Sequence, residues 1–244
     1  CMRSLRTALA LGMALFFTAG AFAQTWPSRP IKFIVPFPPG GPTDIIGRNA
    51  AQILQTALGQ PVVVDNRPGG TGTVGLEALA KSPADGYTVG LTAITLTISP
   101  HLGPVPFDAF KDFTLISRLG ATTPIIVAHP NFPANNLAEL VAYARANPGR
   151  VNYGTPGIGT APHLAAELLQ IAAGITLVHV PYKGTVQLTQ DLLAGAITLN
   201  FESSLTMAKA NVNAGKLKPI AMLTEKRSPL LPDVPTAIEL GYPT

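Results

Sequence analysis

The chain has 244 residues, with 17 Lys and Arg against 13 Asp and Glu, a formal net charge of +4 and one cysteine. A lone cysteine excludes an internal disulfide framework. The basic residues are scattered, with Lys226-Arg227 the only adjacent pair after the first residues, so the clustered stripe that nucleic-acid binding needs is missing.

Residues 1–23 read as a signal peptide. Arg3 and Arg6 form a basic start, residues 8–19 are an apolar run, and Ala21-Phe22-Ala23 fits a cleavage site before Gln24. A membrane-spanning helix needs roughly 20 apolar residues, which this run does not reach, so export to the periplasm is expected. Cleavage would remove Cys1 and leave 15 basic against 13 acidic residues, a net charge of +2.

Short apolar strands alternate with amphipathic helices along the rest of the chain, which predicts an α/β fold. The first strand, 31–35, runs into the Gly-rich loop Pro36-Phe37-Pro38-Pro39-Gly40-Gly41-Pro42-Thr43-Asp44 and a helix over 44–58 ending at Gly59. Strands follow at 61–65 and 87–93. Between them, Gly70-Thr71-Gly72-Thr73-Val74-Gly75 matches the dinucleotide fingerprint, but no acidic residue stands about 20 positions on and the helix after it is short. A turn shaping a cleft wall is expected there instead. Residues 99–113 are Pro-rich and aperiodic, a strand is expected at 124–128, and a crossing strand is expected over 116–128.

The second half predicts helices at 137–147, 162–173, 186–194 and 205–214, each ending near a glycine suited to a left-handed cap. Strands are predicted at 151–153, 176–180, 197–201 and 219–223, mostly continuous Val/Ile/Leu runs of the kind buried on both faces. A second Gly-rich loop, Tyr153-Gly154-Thr155-Pro156-Gly157-Ile158-Gly159-Thr160-Ala161-Pro162-His163, again joins a strand to a helix. A return crossing is expected near 222–227. Two crossings make a hinge, and ligands favour the groove between hinged lobes.

Neither Gly-rich loop contains Lys or Arg. Each opens a helix whose first N–H groups lack partners and carry partial positive charge, so the pair suits a clamp for a small anion. No G-x-S-x-G elbow, H-E-x-x-H motif or mature cysteine supports catalysis, so no enzyme activity and no cofactor are expected. His101, His129, His163 and His179 lack metal-ligand spacing, and no metal is expected.

Specific blocks then resemble a known family. Trp26-Pro27-Ser28-Arg29-Pro30-Ile31, the first Gly-rich loop and Val64-Asp65-Asn66-Arg67-Pro68-Gly69-Gly70 are similar to the opening of the Bug family, extracytoplasmic solute receptors of tripartite tricarboxylate transporters. The resemblance continues through 84–88, 147–154, His179-Val180-Pro181-Tyr182-Lys183-Gly184, 191–195 and 231–236. It implies a two-lobed periplasmic-binding-protein-like fold with a parallel or mixed sheet in each lobe. Lobe 1 is expected over 24–121 and 224–244, and lobe 2 over 122–223.

The same resemblance implies a small carboxylate ligand held by backbone N–H groups, hydroxyls and water, delivery to membrane transporter subunits, and a monomer. Carried over by position, the first-lobe candidates are Phe37, Gly40, Gly41, Thr43 and Asp44, and the second-lobe candidates Thr155, Gly157, Gly159, Thr160 and His163. Asp44 could serve only to cap its helix, or could receive a ligand ammonium. Lys183 is a further candidate for ligand contact. A role as partner of a sensor kinase uses the same cleft, and an exported enzyme acting on carboxylates is a third reading. Two departures bear on ligand identity: Thr185-Val186-Gln187-Leu188-Thr189-Gln190 replaces a small-residue pattern, and Glu202 stands where the family often has Asp. The family also runs on past the block ending at Gly241, which predicts a first lobe cut short, with apolar surface uncovered.

Overall fold

The structure, a computed structural model, describes residues 25–202 and 204–242, so the expected signal peptide lies outside the described residues. The first lobe is built from β1 (Ile31–Val35), α1 (Pro42–Leu58), β2 (Val62–Asn66), α2 (Thr73–Ala80), β3 (Thr88–Gly90) and α3 (Thr95–Leu102). Four of the five β1 residues are buried, as a strand covered on both faces requires. β1 lies between β2 and β3 and runs parallel to both. The chain therefore leaves β1 to one side and later returns to the other, making a switch point at the carboxyl end of β1. Ligands in open α/β sheets bind at such crevices.

Helix α1 starts on Pro42, whose missing N–H costs nothing in the first turn, and stops at Gly59, whose φ of 64° closes a left-handed cap onto Gln55 O. Gly47 lets this helix lie hard on the sheet. A Cβ there would stand 2.7 Å from Val35 Cγ2.

The second lobe holds β4 (Ile125–Ala128), α4 (Leu137–Ala146), β5 (Asn152–Thr155), α5 (Ala161–Ala173), β6 (Val178–Pro181), α6 (Thr185–Leu193), β7 (Leu199–Glu202), α7 (Leu205–Asn213) and β8 (Lys218–Met222). Their order is β6-β5-β7-β4-β8, with β5 parallel to both neighbours and β4 antiparallel to β7 and β8. The sheet is mixed and covered on both faces. Ile126 and Ala128 pack with Leu137, Leu140 and Leu169 on one side, while Ile125 and Val127 pack with Leu188, Leu192 and Leu205 on the other. That alternation is the period of two that a strand imposes. A second switch point falls at the carboxyl end of β5, since β6 and β7 flank it.

The structure differs from the sequence reading in three places. Residues 95–102 form α3, although the stretch from 99 reads as irregular; Pro100 sits within the last turn, where it masks the helical pattern. Of the crossing strand expected over 116–128, only 125–128 is paired as a strand. Residues 224–242, expected on lobe 1, pack on lobe 2. Met222 N donates to Pro235 O and Ala237 N to Met222 O, so this segment covers the outer edge of β8. Its Leu231 and Val234 join the Leu188 cluster, and Ala237 and Tyr242 join the Leu137 cluster.

Ile53, Leu115 and Ile116 are 68%, 76% and 82% exposed. Among the described residues, no helix is long and apolar enough to cross a membrane.

Candidate functional site

Each Gly-rich loop springs from one of the two switch points. The helix that follows it, and the helix following a flanking strand, therefore start at the same end of the sheet. In the first lobe these are α1 and α3; in the second they are α5 and α6. All four N-termini reach one open space of about 1570 Å³, through Gly41 and Thr43, Ile94 and Thr95, Thr160 and Ala161, and Gly184 and Thr185; most of its wall belongs to the first lobe. The groove runs on over the first lobe past Ile53 and Leu54. Each helix turns the positive end of its dipole toward this space, although in α3 Leu96 N and Thr97 N already donate to Ala93 O and Ile94 O, and Pro42 and Pro162 bring no N–H to the first turns of α1 and α5. Four such ends facing one space can hold an anion with no Lys or Arg in either loop. The charged residues lining the groove are Asp112 and Arg118, and Arg118 Nε already donates to Gly120 O at 3.3 Å.

The lobes meet across this groove, and glycine makes the approach possible. Gly157 (φ +144°) lies where a Cβ would come 3.0 Å from Thr71 Oγ1 of the first lobe. Gly159 (φ +80°) lies where a Cβ would come 2.5 Å from Leu102 Cδ1. Side chains other than glycine rarely adopt these φ values, so the second loop depends on glycine for both its shape and its closeness.

In the first loop, Asp44 is 2% exposed and its carboxylate is spoken for. Gly40 N donates to Oδ2 at 2.9 Å, Arg48 Nε donates to Oδ2 at 2.9 Å, and Asn66 Nδ2 donates to Oδ1 at 2.8 Å. Asn66 Nδ2 also donates to Phe37 O at 3.0 Å. Burial alone would raise the Asp44 pKa, but the donors from Arg48, Gly40 and Asn66 outweigh it and hold the carboxyl below its usual range. Asp44 thus sets the loop from within, and Gly40 spends its N–H on that task. Phe37, Gly41 and Thr43 line the groove.

In the second loop, Thr155 is wholly buried. Its hydroxyl lies 2.6 Å from His179 Nε2 and 3.3 Å from both Gly157 N and Gly157 O. Thr160 donates its hydroxyl to Gly157 O at 2.7 Å, and Gly159 N donates to His163 Nδ1 at 3.3 Å. Beneath the loop, the His163 and His179 rings are 4.5 Å apart and His179 stacks on Tyr153 at 4.9 Å. Tyr153 donates its hydroxyl to Glu167 at 2.7 Å. Burial, reinforced by the His163 ring, pushes the His179 pKa down to about 4, so its imidazole is neutral near pH 7. Burial and the Glu167 carboxylate push the Tyr153 phenol up.

Of the eleven candidates, the structure brings Phe37, Gly41, Thr43 and Thr160 to the groove wall, and puts Gly40, Asp44, Thr155, Gly157, Gly159 and His163 in the framework just behind it. Lys183 is exposed and does not line the groove; its neighbours Gly184 and Thr185 do. Glu202 is 3% exposed inside the second lobe, accepting from Ser204 N and Asn200 Nδ2, so it does not border the groove. The 70–75 glycine motif forms a short 3-10 turn and the start of α2, with Gly72 against the Phe37 ring. Thr95 and Thr185 are groove residues that the sequence reading missed. The signal for both was a threonine opening a helix right after a strand.

Residues 46–244 match the family described as "Tripartite tricarboxylate transporter family receptor". The chain belongs to this family. Protein BugT of Bordetella pertussis is 39% identical over 227 residues, covering 91% of this chain and 68% of BugT. Among solved structures, R. palustris Rpa4515 with adipate aligns at a TM-score of 0.85 and 33% identity, over 90% of this chain and 75% of that one. MatC (Rpa3494) from Rhodopseudomonas palustris with bound malate aligns at 0.81 and 26% identity, over 90% of this chain and 76% of that one. The Bug-type resemblance and the periplasmic-binding-protein-like α/β fold are both borne out.

Proposed function

We propose that this family member is a periplasmic receptor that captures a small carboxylate in the groove between its lobes and delivers it to the membrane subunits of a tripartite tricarboxylate transporter. The observation that carries the reading is the convergence of four helix N-termini, two from each lobe, on a groove whose Gly-rich loops hold no cation. The adipate and malate in the two aligned structures support carboxylates as the ligand class. Phe37, Gly41, Thr43 and Thr160 contact the ligand; Asp44 and Thr155 hold the loops that present it. We also propose lobes divided near residue 121, with the segment after 223 carried on the second lobe.

A site built from dipoles and hydroxyls avoids the cost of desolvating a buried cation. Bridging waters can complete it at roughly 0–2 kcal/mol of ordering entropy each. Such a site holds an anion and still releases it when the lobes part.

Calorimetric titration of the purified protein with adipate, malate, succinate and citrate tests the reading. Saturable one-to-one binding of at least one, with the ligand recovered unchanged, is expected. At 100 times Kd such a ligand adds about 2.7 kcal/mol to stability, visible as a raised melting temperature. A folded protein that binds none of them, or that converts the one it binds, overturns the reading.

A further inference from the structure

We propose that Thr95 is a ligand-binding residue, donating its hydroxyl to an oxygen of the carboxylate solute from the N-terminus of α3. The proposal rests on the carboxylate-receptor reading above and adds a first-lobe contact outside both Gly-rich loops.

Thr95 is 2% exposed, and its Oγ1 is buried with no hydrogen-bond partner among the described residues. Buried hydroxyls are nearly always paired, so one that is not calls for a partner the protein itself does not supply. Thr95 also lines the groove, together with Gly41, Thr160 and Thr185.

The direction of the side chain follows from the helix. Thr95, Ile98 and Leu102 are spaced i, i+3 and i+7, which places them on one helical face. Ile98 and Leu102 approach Gly159 of the second loop, whereas Leu96 is buried on the other side with Leu76 and Phe107. Thr95 therefore shares the face of α3 that approaches the second lobe at Gly159. The fold gives it a counterpart: α3 follows β3 beside β1 as α6 follows β6 beside β5, and Thr185 opens α6 as Thr95 opens α3. A hydroxyl at the start of a helix offers a donor without a cation, the same chemistry as the two Gly-rich loops.

The other buried polar atom without a partner, Asn200 Oδ1, behaves differently. Asn200 lines a cavity of about 40 Å³ in the second lobe, together with Thr189, Glu202 and Asn211. That space exceeds the roughly 10–15 Å³ that one water needs, so it has room for a water to pair with Asn200.

The test compares wild type with Thr95→Val, which keeps the branched shape and removes the hydroxyl, and with Thr95→Ser, which keeps the hydroxyl. Each is titrated calorimetrically with adipate, malate, succinate and citrate and melted without ligand. Thr95→Val is expected to melt no lower than wild type, because it discards an unpaired buried hydroxyl, and to bind the preferred carboxylate about five- to tenfold more weakly. Thr95→Ser is expected to stay within about threefold of wild type. Wild-type binding with Thr95→Val unchanged overturns the Thr95 assignment alone. So does a lowered melting temperature in Thr95→Val with unaltered affinity. Wild type binding none of the four carboxylates overturns the receptor reading, and Thr95 falls with it.

Discussion

Asp44 and His179 both work on the ligand loops from behind. Asp44 holds Gly40 N, Arg48 and Asn66 at once, so its charge is balanced inside the lobe. Asp44→Asn weakens all three hydrogen bonds and should lower unfolding free energy by about 1–3 kcal/mol. Affinity for adipate or malate should fall with it, because the first loop loses its anchor at Gly40. A loss confined to amino-acid ligands would instead assign Asp44 to a ligand ammonium. His179 gives the pH dependence. Its folded pKa is depressed to about 4, whereas an unfolded His takes its proton near 6.5, so between those values the unfolded chain binds more protons. Stability contributed by neutral His179 is present above pH 6.5 and lost as pH falls through 4. His163, Glu167 and Tyr153 face the same ring, and Glu167 only partly offsets the effect. Melting temperature should therefore drop between pH 6.5 and 4, and His179→Gln, which cannot titrate, should flatten that drop. An equally steep drop in His179→Gln would contradict this assignment.

At the scale of elements, the helix N-termini and the loops feeding them decide what the groove can hold. Gly157→Ala sets a Cβ at 3.0 Å from Thr71 Oγ1 and forces an alanine to φ +144°. It should weaken carboxylate binding about tenfold, since strain of this kind costs about 1–3 kcal/mol. Gly41→Ala, at φ −82° with its Cβ 3.6 Å from Thr185 Oγ1, should stay within about threefold of wild type. The reverse ranking in a titration would sink the claim that the second loop closes against Thr71. Much of this was legible in the sequence, because strand-to-helix junctions with Gly, Pro and Thr announce themselves locally. α3 was not legible, since Thr95, Thr97 and Pro100 interrupt its period. Thr155 and His179 are 24 residues apart, and no spacing rule joins them. Lys183 looked chemically suited to a ligand and Glu202 looked able to bear on its identity, but the bend after β6 leaves Lys183 in solvent and β7 carries Glu202 into the core.

In the molecule as a whole, two α/β lobes present their switch points to each other, and each contributes two helix ends to the groove between them. Their order β2-β1-β3 and β6-β5-β7-β4-β8 makes this possible without any charged cluster. The segment after β8 stays with the second lobe because Met222, Val234 and Ala237 bury there, a preference that a motif order along the chain does not reveal. Closure is favoured by whatever the ligand touches in both lobes at once, so an anion met by four dipoles should draw them together. The most direct test extends the titration with adipate to its neutral diamide, which matches it in length and keeps one carbonyl acceptor at each end while removing the charge. Expected is saturable binding of adipate, or of whichever dicarboxylate the groove prefers, and at least a hundredfold weaker binding of the matching diamide. Equal binding of the two would show that the negative charge does not matter and would contradict the anion groove.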